Sequence, residues 1–375
     1  MDRLVFMDKY KRLDADLLAV YPILSRKSMA KIEDILLACQ RGAAVEDPGP
    51  LALQIDRAAE DIRDAIAQRA TRMLCYGAHL IKNGLSGILR ALVEEGYLTH
   101  LATQGAGIIH DWEFAFCGLS TESVRENAQA GTFGSWDETG MWLNLPVVAG
   151  GALGKGIGQS VGEFMSREGI TLPKQADLKA MVGDEPLHPL TAARADLLYF
   201  MEKFNVPQGD IEVKHPYKQY SVTCGAYEAG VPLTVHPGIG YDIIVNHPMY
   251  WGAAQGRGAE IDTRIFAGGL ENLSNGIYLS VGSAIMSPQV FEKAFSAANN
   301  VRKNRGQTLI CDHKITINDL QDGGGWDWSQ GEPPMDHPAY YLRFCKTFYR
   351  MGGRVDYVQG DNRLFLSNLL KNLRK

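Results

Sequence analysis

From Met73 to Cys117 the apolar positions alternate between short continuous runs and spaced patterns. The run Met73–Tyr76 ends at Gly77. Leu80, Ile81, Leu85, Ile88, Leu89, Leu92 and Val93 then recur at three- and four-residue spacing, which predicts one helix. Gly96 stands where a helix C-terminal cap belongs. A second apolar run, Leu98–Ala102, predicts a strand that breaks at Gly105-Ala106-Gly107 before a second helix pattern begins. This is the rhythm of a parallel βαβ unit, and ligands of open α/β sheets sit at the carboxyl ends of such strands. His79, Lys82 and Asn83 fall in the first of these turns, and Thr103, Gln104, His110 and Asp111 in the second.

The remaining segments extend the pattern. Residues 1–70 read as an N-terminal helical segment packing on a core of residues 71–375. In it, Met29–Arg41 is amphipathic, Ala43–Pro50 is a linker and Leu51–Arg72 is a long helix. Further helices are predicted ending near Phe204 and over Ser221–Ala229, Ile261–Leu273 and Gln289–Asn300. Strands are predicted at Val231–His236, Gly276–Val281, Thr308–Cys311 and Val355–Val358. Gly238-Ile239-Gly240 follows a strand and precedes Asp242 and His247, so it repeats the strand, glycine, polar-residue order of the first unit. The loop Asp322–His337 carries Trp326 and Trp328 and is a candidate flap or interface. The repeated β-turn-α cycle predicts a mostly parallel sheet with helices on both faces.

Composition narrows the classes. The 375 residues carry a net charge of −5 and are 45% hydrophobic, so nothing favours nucleic acid or an anionic membrane as partner. No apolar run is long enough to cross a bilayer, and the stretch Met1–Arg12 lacks a signal-peptide core. Six scattered cysteines without a CxxC pair read as reduced thiols of a cytoplasmic protein. Gly150–Gln159 lacks the phosphate-loop spacing, because Lys155 is followed by Gly156. No close HxH or HxxxH pair marks a metal site.

The residues 70–320 resemble the deoxyhypusine synthase family. Gly77-Ala78-His79-Leu80-Ile81-Lys82-Asn83-Gly84-Leu85 and Thr103-Gln104-Gly105-Ala106-Gly107-Ile108-Ile109-His110-Asp111 align without gaps on its TSNLISSGIR and TTAGGVEED types of segment. His236 to His247 resembles its TDGSLGDMIFFH type. The resemblance implies a Rossmann-like fold, NAD as cofactor and a homotetramer. The departures imply that this is not a true deoxyhypusine synthase. His110 replaces an acidic residue that grips a substrate amine, Ser287 stands at the catalytic histidine, and the Trp326–Trp328 loop lacks the imine-forming lysine. Gly77-Ala78-His79 replaces the NAD-contacting TSN, and Pro237 an acidic residue.

The expectation is therefore an NAD-dependent enzyme acting on a small amine- or hydroxyl-bearing metabolite. Hydride would leave a carbon bearing nitrogen or oxygen, followed by transfer, elimination or re-reduction. Gly77, Ala78, His79, Asn83, Gly84, Thr103, Gly105, Ala106 and Gly107 are the expected NAD contacts, since backbone N–H groups and helix N-termini suit phosphate oxygens. His110 or His247 is the expected base, Asp111 its support and Asp242 a substrate anchor. Lys82, His236, Ser287, Trp326 and Trp328 are expected to border the substrate. The alternatives are a cofactor-free or metal-dependent hydrolase or lyase in the same fold, and a non-catalytic relative.

Overall fold

The structure, a computed structural model, describes residues 10–375; most of the Met1–Arg12 stretch lies outside them. Six strands form one parallel sheet: β1 (Arg72–Tyr76), β2 (His100–Gln104), β3 (Leu233–His236), β4 (Ile277–Val281), β5 (Lys314–Asp319) and β6 (Arg354–Gln359). Their spatial order is 3-2-1-4-5-6, with all neighbours parallel. This is the doubly wound Rossmann order, in which the winding reverses between β1 and β4.

Strand alternation divides the core between the two faces of the sheet. Leu74 and Tyr76 pack with the helices Ala52–Ala67, Ser86–Glu94 and Asn362–Leu373. Met73 and Cys75 pack on the other face with Gly252–Leu270, Met286–Asn304 and Arg343–Arg350. Successive side chains of a strand point oppositely, so a continuous apolar run such as Met73–Tyr76 serves both layers at once.

Between β2 and β3, residues 105–232 build a helical layer that includes Gly105–Cys117, Asp137–Gly151, Ile157–Ser166 and Thr191–Lys203. Its small two-stranded antiparallel sheet pairs Gly169–Leu172 with Gly209–Glu212.

Several expected elements differ from those observed. The single helix expected after Gly77 is two, His79–Lys82 and Ser86–Glu94. Gly84 separates them with φ +79°, and a Cβ there would lie 1.9 Å from the carbonyl oxygen of Ile35. The chain bends where an N-terminal segment presses on it, and only glycine fits. Met29–Arg41 is not one amphipathic helix. Ala30–Lys31 pairs with Leu119–Ser120, and a single turn, Ile32–Ile35, follows. Thr308–Cys311 is not a strand either. Its donors at Ile310 and Cys311 go to the side chains of Asn299 and Ser274, and the strand begins at Lys314.

Candidate functional site

The carboxyl ends of β1 and β2 lie side by side, and the turns after them bring His79 and Lys82 close to the Gly105–Cys117 helix that carries His110. His110 is the expected residue whose surroundings are the most specialised. Its Nδ1 lies 2.7 Å from Ser120 Oγ, and Ser120 Oγ donates to Glu113 Oε2 at 2.6 Å. Glu113 is held by a bidentate ion pair with Arg26, at 2.8 and 2.9 Å, and by Thr139 Oγ1 at 2.9 Å. Arg26 and Glu113 are both buried.

This chain fixes the tautomer. A carboxylate in an ion pair has no proton to give, so the Ser120 hydrogen points to Glu113. The serine oxygen then accepts from His110, so Nδ1 carries the proton and Nε2 the lone pair. Among the described residues nothing hydrogen-bonds Nε2. Burial pushes the imidazole down to about 4, with Lys82, Arg26 and His79 adding to the effect and Glu113 opposing it. His110 is thus neutral at pH 7 and presents one basic nitrogen.

Glu113, Ser120 and Arg26 were not expected at the site. Arg26 lies 87 residues from its partner in the chain. No local pattern announces such a pair, although an acidic residue one helical turn after His110 is visible in retrospect.

The aspartates expected to act beside the histidines do other work. Asp111 points away from His110 and accepts from Val222 N, Thr223 N and Ser221 Oγ, all within 2.9 Å. It caps the Val222–Glu228 helix, and the support expected from it comes from Ser120 instead. Asp242 accepts from Gly238 N at 2.9 Å and from the backbone of Ala106, and a Cβ on Gly105 would lie 2.0 Å from its Oδ2. It therefore fills the N-terminus of the Gly105–Cys117 helix, where a phosphate of NAD was expected. Burial raises this carboxyl to about 6. Gly107 is likewise explained from within, since its absent Cβ makes room for Thr103 Oγ1, which bonds Tyr76 O at 3.0 Å.

His247 packs against Gly140, the neighbour of Thr139 in the relay. Its Nδ1 accepts from Met249 N at 3.1 Å, and its Nε2 lies 3.5 Å from Asp137 Oδ1. Nδ1 is engaged, whereas Nε2 is buried with no hydrogen-bond partner, so His247 packs into the wall of the site with one nitrogen unpaired.

The residues expected to border the substrate separate. Lys82 is half-buried in the turn near His110. His236 lies under the sheet's helical cover, where Thr234 Oγ1 stands between it and His100 at 3.2 and 3.1 Å. Ser287 is fully buried and bonds Tyr278 Oη at 2.8 Å. Trp328 is buried with Tyr349 beside Arg343–Arg350, and Trp326 donates to Gly331 O at 2.9 Å. The two tryptophans pack over the β6 side of the sheet, away from His110.

The crevice at the winding reversal lies between Gly77 and Gly282, which follow β1 and β4. Gly77 N bonds Val281 O at 3.1 Å, and a Cβ on Gly77 would lie 2.0 Å from Gly282 O. Around Gly282, Asn318 donates to Val358 O and Gly360 O, and Asn362 Nδ2 lies 2.6 Å from where a Gly282 Cβ would be. The side-chain oxygens of Asn318 and Asn362 are buried and have no partner; Gln104 Oε1, at the end of β2, is in the same state. Buried acceptors left unpaired are costly, and here they gather where this sheet order binds ligands.

No protein-family model matches the sequence, and no curated protein matches it. Among solved structures, unliganded AgrE is similar at 14% identity and a TM-score of 0.44, over 88% of this chain and 34% of that one. A ternary complex of AgrE with ornithine and NAD+ gives 14% and 0.43 over the same shares. ArgZ, an arginine dihydrolase of the cyanobacterial ornithine-ammonia cycle, gives 15% and 0.40, over 86% of this chain and 32% of that one. The chain thus spans about a third of the length of these proteins. No activity is taken from a likeness of this size.

Proposed function

We propose that this chain is an enzyme, a divergent relative of the deoxyhypusine synthase-like family, that binds NAD at the crevice between β1 and β4 and acts on a small amine- or hydroxyl-bearing metabolite. The observation that carries the proposal is the relay from Arg26 through Glu113 and Ser120 to His110. It leaves one imidazole nitrogen basic and unengaged at the carboxyl end of the sheet. A fold alone needs no such device.

Three observations support NAD at this crevice. The sheet order is the one that binds dinucleotides across the reversal. Gly77 and Gly282 pack backbone to backbone and project no side chain over the strand ends. The buried oxygens of Asn318 and Asn362, near the strand ends, have no donor within the protein. Gly282 and Ser283 lead directly into the 19-residue Met286–Asn304 helix, so this turn replaces Gly105–Gly107 as the phosphate contact. Bound NAD supplies a hydride acceptor. His110 Nε2 takes the proton from the substrate nitrogen or oxygen, and the cation of Lys82 nearby disfavours protonation of the ring at rest.

Calorimetric titration of the full chain with NAD tests this reading. Saturable binding that persists in His110→Gln, together with loss of NAD-linked turnover in that variant, is the expected result. Absence of saturable binding, with no nucleotide in native mass spectra of freshly purified protein, overturns it.

A further inference from the structure

A cavity of about 570 Å³ lies in the layer inserted between β2 and β3, among the helices Asp137–Gly151, Ile157–Ser166 and Thr191–Lys203 and the Gly169–Leu172 strand. Its volume is in the range of small-molecule sites. The walls are apolar: Phe164, Leu172, Leu178 and Leu197 are buried there, and Leu153 and Met181 stand exposed along it.

Its charged lining is one-sided. Lys155, Arg167 and Arg194 line the cavity against a single carboxylate, Glu163. Glu163 is shared, pairing with Lys155 and, at 3.0 Å, with Arg167. Arg194 turns to Glu185 at 3.1 Å, outside the lining. One carboxylate between two cations leaves positive charge over, and the Arg167 side chain is 67% exposed. An apolar hollow beside surplus guanidinium suits a molecule with an alkyl body and an anionic end.

We propose that this cavity binds an amphiphilic carboxylate, an alkyl chain lying against Phe164 and Leu178 with its carboxylate at Arg167 and Lys155. The site is separate from the crevice at the carboxyl ends of the strands and shares no residue with it. Arginine provides the planar fork that a carboxylate accepts in pairs, and the buried leucines exclude water from the chain. The Lys155–Glu163 contact holds Lys155 at the cavity.

The test is calorimetric titration of the full chain with dodecanoate, dodecanol and dodecyltrimethylammonium. Dodecanoate is expected to bind saturably, at least roughly tenfold tighter than either other probe. Arg167→Glu, a change at an exposed side chain, is expected to weaken dodecanoate about tenfold and leave dodecanol unchanged. Leu178→Trp is expected to abolish binding by filling the hollow, with thermal melting showing that the variant is folded. Equal affinity for the cationic and anionic probes, no saturable binding, or dodecanoate binding indifferent to Arg167→Glu each overturns the proposal. Sedimentation that shows two chains joined through this cavity also overturns it, because a second copy is then the occupant. NAD binding is not read in any arm, so failure here leaves the proposed function standing.

Discussion

The proton position on His110 is decided two hydrogen bonds away, at Glu113. Glu113 cannot donate, Ser120 must, and His110 Nδ1 is left as the donor to Ser120. Two measurements follow. Nitrogen NMR of labelled histidine is expected to show His110 neutral at pH 7, protonated on Nδ1 and titrating near 4, as burial dictates; Ser120→Ala is expected to give mixed tautomers. A normal titration near 6.5 in the native protein would remove the argument for a buried, prepared base. Separately, Arg26→Ala leaves the Glu113 charge buried and unpaired, and is expected to cost about 3–5 kcal/mol in denaturant unfolding. A cost under ~1 kcal/mol, the value of an exposed pair, would mean that the pair is solvated.

Three helices in this protein are begun by carboxylates from elsewhere in the chain. Asp111 serves Val222–Glu228, and Asp242 serves Gly105–Cys117. Asp262 serves Ile157–Ser166, accepting from Gly158 N at 3.1 Å, and also takes Val235 N at 2.9 Å on the open side of β3. One side chain thus caps a helix and covers a sheet edge. It also explains why Gly150–Gln159 is not a phosphate loop, because the Asp262 carboxyl already occupies the helix N-terminus. Asp262→Ala is expected to cost about 2 kcal/mol, since it orphans backbone donors at both elements. Hydrogen exchange should quicken at Gly158 and Val235 together. Faster exchange at Gly158 alone would show that the edge of β3 is satisfied another way.

At the scale of the whole molecule, the ionisable groups among the described residues oppose one another. Burial lowers six imidazoles: His100 to about 3, His110, His215, His236 and His313 to about 4, and His247 by an amount in the same direction. Burial raises Asp242 to about 6 and Asp262 to about 7, and raises Asp61 and Asp111 as well. Below pH 6.5 the unfolded histidines take up protons that the folded ones refuse until about 4, so their stabilisation is lost as pH falls through that window. The raised carboxyls hold protons only when folded, which works the other way between their folded values and 3.8. Six outnumber four, so stability is expected to fall between pH 6 and pH 4.5, as read by the urea midpoint. A midpoint that rises on acidification would show that the carboxyls dominate.

What could be read from the residues was whatever repeats along the chain. Apolar runs ended by glycine located five of the six strands, because burial on two faces demands continuous apolar sequence and a tight turn demands glycine. The parallel class followed, as did the strand-turn regions around Gly77, Gly105 and Gly238. The 3-2-1-4-5-6 order, and with it the crevice at Gly77 and Gly282, came only from strand pairing, which depends on neighbours more than 200 residues apart. Tertiary contact likewise decided that Gly105 makes room for Asp242, that Asp111 is a cap, and that Arg26 and Ser120 complete the relay of His110. Sequence periodicity reports which face a side chain occupies. Which partner it meets there is set by how the layers pack, and hydrogen bonds between layers leave no period in the chain.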